Sequence, residues 1–515
     1  MLLIFPNAYE VGMGNLGFQT VYRRLNELPG WRCERAFVYP DPWRFRPLSL
    51  ERGTPPESFP LIGFSVAFEL DFPNVIRQIR GANVPLRAAD RGEDDPLLVL
   101  GGAVAMYNPI PLAPFFDLVF IGEFDAVLPH FAEVAQRGLT ERKTRLQILE
   151  ELARLEGMWS PVLEPVPEAK RRVVYRAREA RPTYSGVVSS HSHLRDLFLV
   201  EAGRGCGRRC RFCVASHVYW PLRMFEPDAI LARVQEFNPG ANRIGLVGSA
   251  LSDYPRLAEL LGLLADEGYE VSLSSLRIDS LDEALVQALE RAKVRSVALA
   301  PETGSPRMQR IIHKNLWVEG MLRAAELLAD SAIRSVKLYF IVGLPLEEDT
   351  DVDLSAEFAA EFATRFRRGR GKTGVSLSVN AFIPKPHTPF QWAPMADPET
   401  IERRRRRMNL TARKVPGMSY TRKSLRSERL QAVLSLGGPE VAQALEFSAE
   451  QEISLAPALQ AVGVKVDDLL HREKSPDERF PWEFIEGGPG RQVLWREWLR
   501  AKEVARRSRG RKKGL

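Results

Sequence analysis

Cysteine is scarce in this sequence: there are four in 515 residues, and three of them fall between positions 206 and 213. A disulfide scaffold needs many more, so a reducing compartment is implied and a cytoplasmic protein is expected. Long hydrophobic runs are also missing. The longest apolar stretches, such as 97–105, contain glycines and stop well short of the roughly 20 residues a spanning helix needs, so no membrane span is expected. The opening MLLIFPNAYE has no positive segment ahead of its apolar run and reaches Pro6 early, unlike a secretory signal. Histidine is rare too, and none precedes His130. Repeats of solenoid length are absent. With 45% hydrophobic and 27% charged residues, the composition excludes intrinsic disorder, collagen and coiled coil.

What is present begins with charge. The net charge of +7 is concentrated in the run Arg403–Arg407 and in the tail residues Arg506, Arg507, Arg509, Arg511, Lys512 and Lys513. Such clusters permit an acidic partner, nucleic acid included, but suit better a solvated helix face with a frayed tail. No aromatics are interleaved with the arginines, as a single-strand stacking platform requires.

Short apolar runs alternate with helical patterns over the first 130 residues, with strands expected at 2–6, 61–66, 97–100 and 118–121. That alternation implies a doubly wound parallel sheet. After a linker-like stretch at 182–192, a second series begins. Strands are expected at 197–202, 243–247, 271–274, 296–300, 336–342 and 375–382, which suits a partial (β/α) barrel. Beyond Asp397 the pattern is helical and basic, with no strand expected. The sequence thus reads as three regions: 1–185, 190–396 and 397–515.

The chemistry concentrates at Gly203-Arg204-Gly205-Cys206-Gly207-Arg208-Arg209-Cys210-Arg211-Phe212-Cys213. Placed directly after a strand, it sits at the carboxyl mouth of the second series. Three thiolates at C-x3-C-x2-C spacing suit three corners of a [4Fe–4S] cluster and leave one iron open. The glycines let the loop wrap closely round an inorganic core, and the arginines offset its negative charge. Zinc, with His217 as a fourth ligand, lacks the usual second pair of ligands. A redox pair at Cys210 and Cys213 leaves Cys206 unexplained.

This motif resembles that of the radical S-adenosylmethionine (radical SAM) superfamily. The resemblance implies a cluster on Cys206, Cys210 and Cys213, with S-adenosylmethionine chelated at the open iron and split to a 5′-deoxyadenosyl radical. Phe212 stands where the family places an aromatic near cluster and adenine, and Pro221-x-Arg223 resembles its P-x-R element. Gly248 and Ser249 end the second strand like the turn that binds the methionine amino group, without the usual acidic residue. Ser274 and Arg277 end the third strand and are expected at ribose or carboxylate, and Glu302 at the ribose hydroxyls. Lys337 with Gly343-Leu344-Pro345 resembles K-x-Y-x-x-x-G-L-P. Phe382 and Ile383 lie where the last core strand pairs its backbone with adenine. The family also implies an electron donor such as flavodoxin or ferredoxin.

Leu97–Gly102, Asn108-Pro109 and Asp117–Glu123 resemble a cobalamin-binding domain fused ahead of many such cores, with Ser65 and the glycine pair facing the corrin. The usual D-x-H-x-x-G is replaced by Asn7-Ala8-Tyr9-Glu10-Val11-Gly12, so cobalt would lack that imidazole. Cobalamin binding and a purely structural domain both stay open. Pro481-Trp482-Glu483-Phe484-Ile485 is similar to an element of a group of radical SAM proteins with this N-terminal domain. The expected function is therefore a radical SAM enzyme that functionalises an unactivated position, with methyl transfer the reaction a methyl carrier would serve. The alternatives are an RNA-modifying radical SAM enzyme, or a nucleic-acid-binding protein with a structural cluster. A methylthiotransferase of the two-cluster type needs three further cysteines, and only Cys33 remains.

Overall fold

A computed structural model describes residues 1–38, 46–175, 181–249 and 251–510. Contacts divide the chain into two compact units. One comprises Met1–Asp196, Leu430–Leu469 and Asp477–Gly488; the other comprises Leu197–Arg429, Leu470–Pro476 and Pro489–Leu515. Among the described residues, no helix is long and apolar enough to cross a membrane.

In the first unit, β1 (Leu2–Ile4), β2 (Glu34–Ala36), β3 (Leu61–Ser65), β4 (Leu97–Gly101), β5 (Leu118–Phe120) and β6 (Met158–Trp159) form one sheet in the order β2-β1-β3-β4-β5-β6. Every pairing is parallel except β5 with β6. Leu61, Ile62, Phe64, Leu97 to Leu100, Leu118 and Val119 are all buried, as near-continuous apolar strands covered on both faces should be. Strand order reverses between β1 and β3, the crevice where open α/β sheets take ligands. The sequence reading misses β2 because two of its three residues are charged. Tertiary partners satisfy those charges: Ser49 Oγ donates to Glu34 at 2.6 Å, and Arg35 Nε donates to Glu51 at 2.7 Å.

The stretch expected as a linker packs against the first unit instead. Thr183 and Thr20 hydroxyls lie 2.8 Å apart, Val187 donates its N–H to Gln19 at 3.0 Å, and Arg23 stacks on Tyr184 at 4.0 Å. Its short polar residues look solvated in sequence but are partnered in space. A further strand, β7 (Lys170–Arg171), pairs with Ile485–Glu486. Beside it Trp482, 1% exposed, stacks on Phe480 with ring centroids 4.9 Å apart.

The second unit contains β8 (Leu197–Glu201), β9 (Gly203–Arg204), β10 (Arg223–Met224), β11 (Arg243–Val247), β12 (Glu270–Leu273), β13 (Ser296–Glu302), β14 (Ser335–Val342), β15 (Gly374–Ala381) and β16 (Met418–Thr421). Parallel sheets β12-β11-β8 and β13-β14-β15-β16 are joined by a parallel bridge between Leu276 and Leu299. This is the expected partial (β/α) barrel with one added edge strand. β16 lies beyond Asp397, where only helices were expected, because its strand character comes from pairing with β15 rather than from its own pattern.

Burial alternates along β14. Val336, Leu338, Phe340 and Val342 are at most 2% exposed, whereas Lys337, Tyr339 and Ile341 on the opposite face are half-buried. Burying one such aliphatic side chain contributes about 2 kcal/mol, so the outward set fixes the register and turns the other set inward. Helix starts follow their caps: the Ser305, Asp282 and Asp397 side chains accept N–H groups of the first turns at Pro306–Ile311, Glu283–Arg291 and Pro398–Lys414.

Candidate cofactor site

The cysteine loop leaves β8 and folds back so that β9 pairs antiparallel with β10. Gly205 makes this closure sterically feasible: it has φ +82°, and a Cβ there would lie 2.1 Å from the Tyr219 carbonyl oxygen. Four anchors then fix the loop. Arg211 donates to Glu497 Oε2 at 2.9 and 3.1 Å and to the carbonyls of Arg310 and Ile311 at 3.1 and 2.8 Å. Cys213 donates its N–H to Cys210 O at 3.1 Å. Ser216 Oγ donates to Cys213 O at 2.9 Å, and His217 Nε2 lies 3.2 Å from Cys210 O. Burial lowers the His217 pKa to about 4, so its imidazole is neutral, with Nε2 at the Cys210 carbonyl.

All three cysteines are free thiols, Cys210 buried and the other two half-buried. Cys213 lies within electrostatic range of both Cys206 and Cys210. Burial pushes the Cys210 thiol up to about 12, opposed by the charges of Lys314 and Arg277. Burial raises the Cys213 thiol as well. Among the described residues no three His, Cys, Asp or Glu side chains converge as a single-ion site. A cubane makes a different demand, one thiolate on each of three irons. Soft thiolate donors, a glycine-closed loop and nearby cations fit an anionic [4Fe–4S] cluster.

The other sequence-derived residues lie at the carboxyl ends of the neighbouring strands. Ser274 Oγ donates to Gly248 O at 3.0 Å, which ties the second strand end to the third, and Ser249 beside it is exposed. Glu302 is in the left-handed region at φ +64° and accepts from Lys314 Nζ at 2.8 Å. Arg277 reaches the Cys210 side of the site, but its guanidinium is engaged by Asp279 at 3.0 and 2.9 Å. It therefore arrives as half of an ion pair rather than as a free carboxylate clamp. Phe212 is half-buried next to Cys213. Phe382 is 2% exposed, packs edge-on to Phe390 at 5.8 Å, and donates its N–H to Val342 O at 2.9 Å. Its amide is thus spent in the barrel, leaving its carbonyl and the backbone of half-buried Ile383. Lys337 points along the inner face, 4.9 Å from the Tyr339 ring centroid.

Three contributors escape sequence reading. Lys314 follows the helix after β13 and has no motif of its own. Asp253 binds Arg208 at 2.9 and 2.7 Å. Gln309 donates to Pro301 O at 2.8 Å and Thr303 O at 2.7 Å, framing Glu302. Only the polarity of strand-end loops signals them.

The arginine run is not one uniformly solvated face: Arg403 and Arg406 are exposed, whereas Arg404 and Arg405 are buried. It lies in the helix Pro398–Lys414, with Arg404 and Arg405 8% and 1% exposed. Arg404 donates to Glu347 at 3.0 Å, Arg405 to Glu428 at 2.5 Å, Arg403 to Asp349 at 3.2 Å and Arg407 to Asp353 at 2.8 Å. The helix brings each guanidinium opposite an acid that is remote in sequence. In the tail, Arg506 and Arg507 pair with Glu503. The side chain of Arg509 and residues Arg511, Lys512 and Lys513 lie outside the described residues.

At the strand-order reversal of the first unit, Asn7 Nδ2 donates to buried Asp71 at 2.7 Å. Gly102, at φ +97°, packs so closely that a Cβ would lie 2.5 Å from Val66 O. Asn108 Nδ2 donates to Ser435 O and Gly437 O at 3.0 and 2.9 Å. Both residues thus serve the internal packing of this unit, and no imidazole precedes His130. A corrin fits this crevice only without a protein imidazole from this stretch.

The family description "Radical SAM proteins, N-terminal" matches residues 17–161, and "Radical SAM superfamily" matches residues 200–359. An uncharacterized protein of Methanocaldococcus jannaschii is 28% identical over 476 residues, which is 91% of this chain and 94% of that one. The ribosomal protein uS12 methylthiotransferase RimO of Thermodesulfovibrio yellowstonii is 24% identical over 179 residues, 32% of this chain and 41% of its own. The fold is similar to that of the radical S-adenosylmethionine methyltransferase TsrM of Kitasatospora setae, solved with cobalamin and a [4Fe–4S] cluster bound. The TM-score is 0.52 at 13% identity over 99% of both chains. It is also similar to OxsB, a cobalamin-dependent S-adenosylmethionine radical enzyme, with TM-score 0.51 at 14% identity over 100% of this chain and 81% of that one. At such identities the structural likeness speaks to the fold.

Proposed function

The chain belongs to the radical SAM superfamily and is an enzyme of that class, and from this premise we propose that it cleaves S-adenosylmethionine reductively and transfers a methyl group to an unactivated position. The observation that carries the reading is a single glycine-closed loop at the carboxyl mouth of a β/α array. It carries Cys206, Cys210 and Cys213 and is anchored by Arg211, Ser216 and His217, with Glu302, Lys314 and Arg277 in electrostatic range of Cys210. A bound [4Fe–4S] cluster supplies the electron and the open iron that split S-adenosylmethionine.

The remaining roles fall to the chain itself. The three cysteines lose their protons on ligation, and the positive charges of Lys314 and Arg277 favour that loss. Glu302 accepts hydrogen bonds from the ribose hydroxyls while Lys314 holds its carboxylate in place. Ser274, Ser249 and the Gly248 backbone frame the methionine end. The carbonyl of Phe382 and the backbone of Ile383 meet the adenine, and Phe212 covers the loop against water. A flavodoxin or ferredoxin is the electron source.

Methyl transfer is supported by the likeness of the whole fold to TsrM, a radical S-adenosylmethionine methyltransferase, and to OxsB, a cobalamin-dependent S-adenosylmethionine radical enzyme. A bound cobalamin would serve as methyl carrier. Methylthio transfer of the two-cluster type is disfavoured, because the one remaining cysteine, Cys33, is 2% exposed in the first unit. The test is anaerobic reconstitution with cobalamin, reduction, and methyl-labelled S-adenosylmethionine. Formation of 5′-deoxyadenosine together with labelled methylcobalamin is expected. Deoxyadenosine without label would drop methyl transfer, and neither product would overturn the reading.

A further inference from the structure

We propose that the outer rim of the cysteine loop, together with the last helix, is a basic docking face for an acidic one-electron carrier protein of the ferredoxin type. The inference rests on the radical SAM reading, which requires an electron, and it goes on to say where the carrier sits.

Between Cys206 and Cys210 the loop turns outward, leaving Gly207, Arg208 and Arg209 exposed. Arg208 is neutralised by Asp253. Arg209 has no carboxylate partner among the described residues; it lies over the ring of Trp220, 4.7 Å from the centroid, and that ring is 38% exposed. Next to it, exposed His313 places Nδ1 3.4 Å from the Arg209 carbonyl. Arg310, one turn earlier, is exposed and likewise has no carboxylate partner among the described residues. The helix Arg491–Gly510 completes the rim. Its Glu497 is shared by two guanidinium groups: Arg211 holds Oε2 from inside, and Arg500, with a side chain 69% exposed, pairs with Oε1. The face therefore presents Arg209 and Arg310 beside an exposed indole, and its one acid, Glu497, is outnumbered by its partners Arg211 and Arg500. Arg310 stands at the boundary: it also lines a groove of about 610 Å³ together with Glu319, Glu357 and Glu361, where the sign changes and the docking face ends.

The face borders the cysteine loop. His217, 3% exposed, interacts electrostatically with Arg209 and His313 on one side and touches the Cys210 carbonyl at 3.2 Å on the other. A carrier seated on the rim is thus separated from the cluster ligands by about one layer of side chains. A positive face over a shielded redox centre steers an acidic partner and favours its capture at low salt. In the transfer one electron leaves the reduced [2Fe–2S] carrier, which becomes oxidised, and enters the [4Fe–4S] cluster, taking it from the 2+ to the 1+ state. No bond forms or breaks and no proton moves.

The test uses reconstituted full-length enzyme and an acidic plant-type [2Fe–2S] ferredoxin. Stopped-flow absorbance reports cluster reduction by the reduced carrier, and surface plasmon resonance reports affinity for the oxidised one. In the wild type the bimolecular rate should fall about tenfold between about 20 and about 300 mM salt. Arg310→Glu with Arg500→Glu should be about tenfold slower at low salt, bind at least tenfold more weakly, and lose most of the salt dependence, with reduction by dithionite unchanged. The corresponding double glutamine variant should fall between the two. Wild-type ferredoxin rate and affinity in the double glutamate variant would overturn the proposal. Should the wild type assemble no cluster, the radical SAM reading fails, while the affinity difference still decides the docking face.

Discussion

Lys314 Nζ donates to Glu302 Oε1 at 2.8 Å, and the two side chains, 7% and 12% exposed, lie beside Cys210 at the mouth of the β/α array. Glu302 reaches this position from a left-handed backbone at φ +64°, a conformation that costs a non-glycine residue about 1–3 kcal/mol. The surroundings over-determine it, since Gln309 bonds the carbonyls on either side, Pro301 O and Thr303 O. Such strain held in place at a polar strand end marks a residue positioned for contact.

Glu302→Gln should therefore keep the cluster spectrum and weaken S-adenosylmethionine binding by about 1–3 kcal/mol. Lys314→Met should cost more, because it leaves a nearly buried carboxylate unpaired. Equilibrium dialysis with labelled S-adenosylmethionine decides. Wild-type affinity in both variants would mean that the pair does not face the nucleoside.

Arg405 and Glu428, each with a side chain 1% exposed, are paired at 2.5 Å, and Glu428 Oε1 also accepts the Ala381 N–H at 2.8 Å. Arg405→Met should destabilise the protein by about 3–5 kcal/mol by stranding that carboxylate. Arg406→Ala, one position on and exposed, should stay within about 0.5 kcal/mol. Urea denaturation midpoints check this. Equal midpoints for the two variants would contradict the buried-pair assignment.

These two sites show where the sequence is legible. The cysteine spacing, the strand-end glycines and the alternation along β14 are local, and each reads directly as loop, turn or barrel face. The arginine run is local too, yet its meaning depends on Glu347, Asp349, Asp353 and Glu428, which only the folded chain brings opposite it. Lys314 and Asp253 are ordinary charged residues until their partners Glu302 and Arg208 are in place. β2 and β16 fail as sequence strands for the same reason: Glu34, Arg35 and Ser419 carry no strand pattern, and neighbouring strands supply the pairing. Arg277 is a useful case in between. Its position at the third strand end is readable, whereas Asp279, two residues on, changes what its guanidinium can do.

Burial pushes the Asp71 carboxyl up to about 7, with the Asn7 hydrogen bond opposing and Glu69 adding to the rise. A folded-state pKa above the unfolded value means that the native state keeps a proton the unfolded state releases. The contribution of this group is thus fully present below about pH 4 and is lost as pH rises through about 7. Asp71→Asn should match the wild type near pH 4 and be more stable at pH 8, by about 2–4 kcal/mol. Calorimetric melting at the two pH values tests it. A variant less stable than the wild type at pH 8 would show that the carboxylate is ionised and useful in the fold.

Cobalt offers a separate check on the first unit. The loop after β1 carries no histidine, although the His193 N–H donates to Glu10 O in that loop at 2.9 Å. Cobalamin taken up there should show no superhyperfine splitting from a protein imidazole in the electron paramagnetic resonance spectrum of its reduced form, in the wild type and in His193→Ala alike. Withholding that donor eases release of a carried methyl group. Splitting from a histidine nitrogen would contradict the account of the crevice.

The most direct test of the central claim is electron paramagnetic resonance of anaerobically reconstituted, dithionite-reduced protein with and without S-adenosylmethionine, alongside iron content in cysteine variants. The account predicts one [4Fe–4S]⁺ signal whose g values change when S-adenosylmethionine is added. That signal should be lost in Cys206→Ala, Cys210→Ala and Cys213→Ala and retained in Cys33→Ala. Unchanged iron in the triple variant, or a cluster signal indifferent to S-adenosylmethionine, would contradict it.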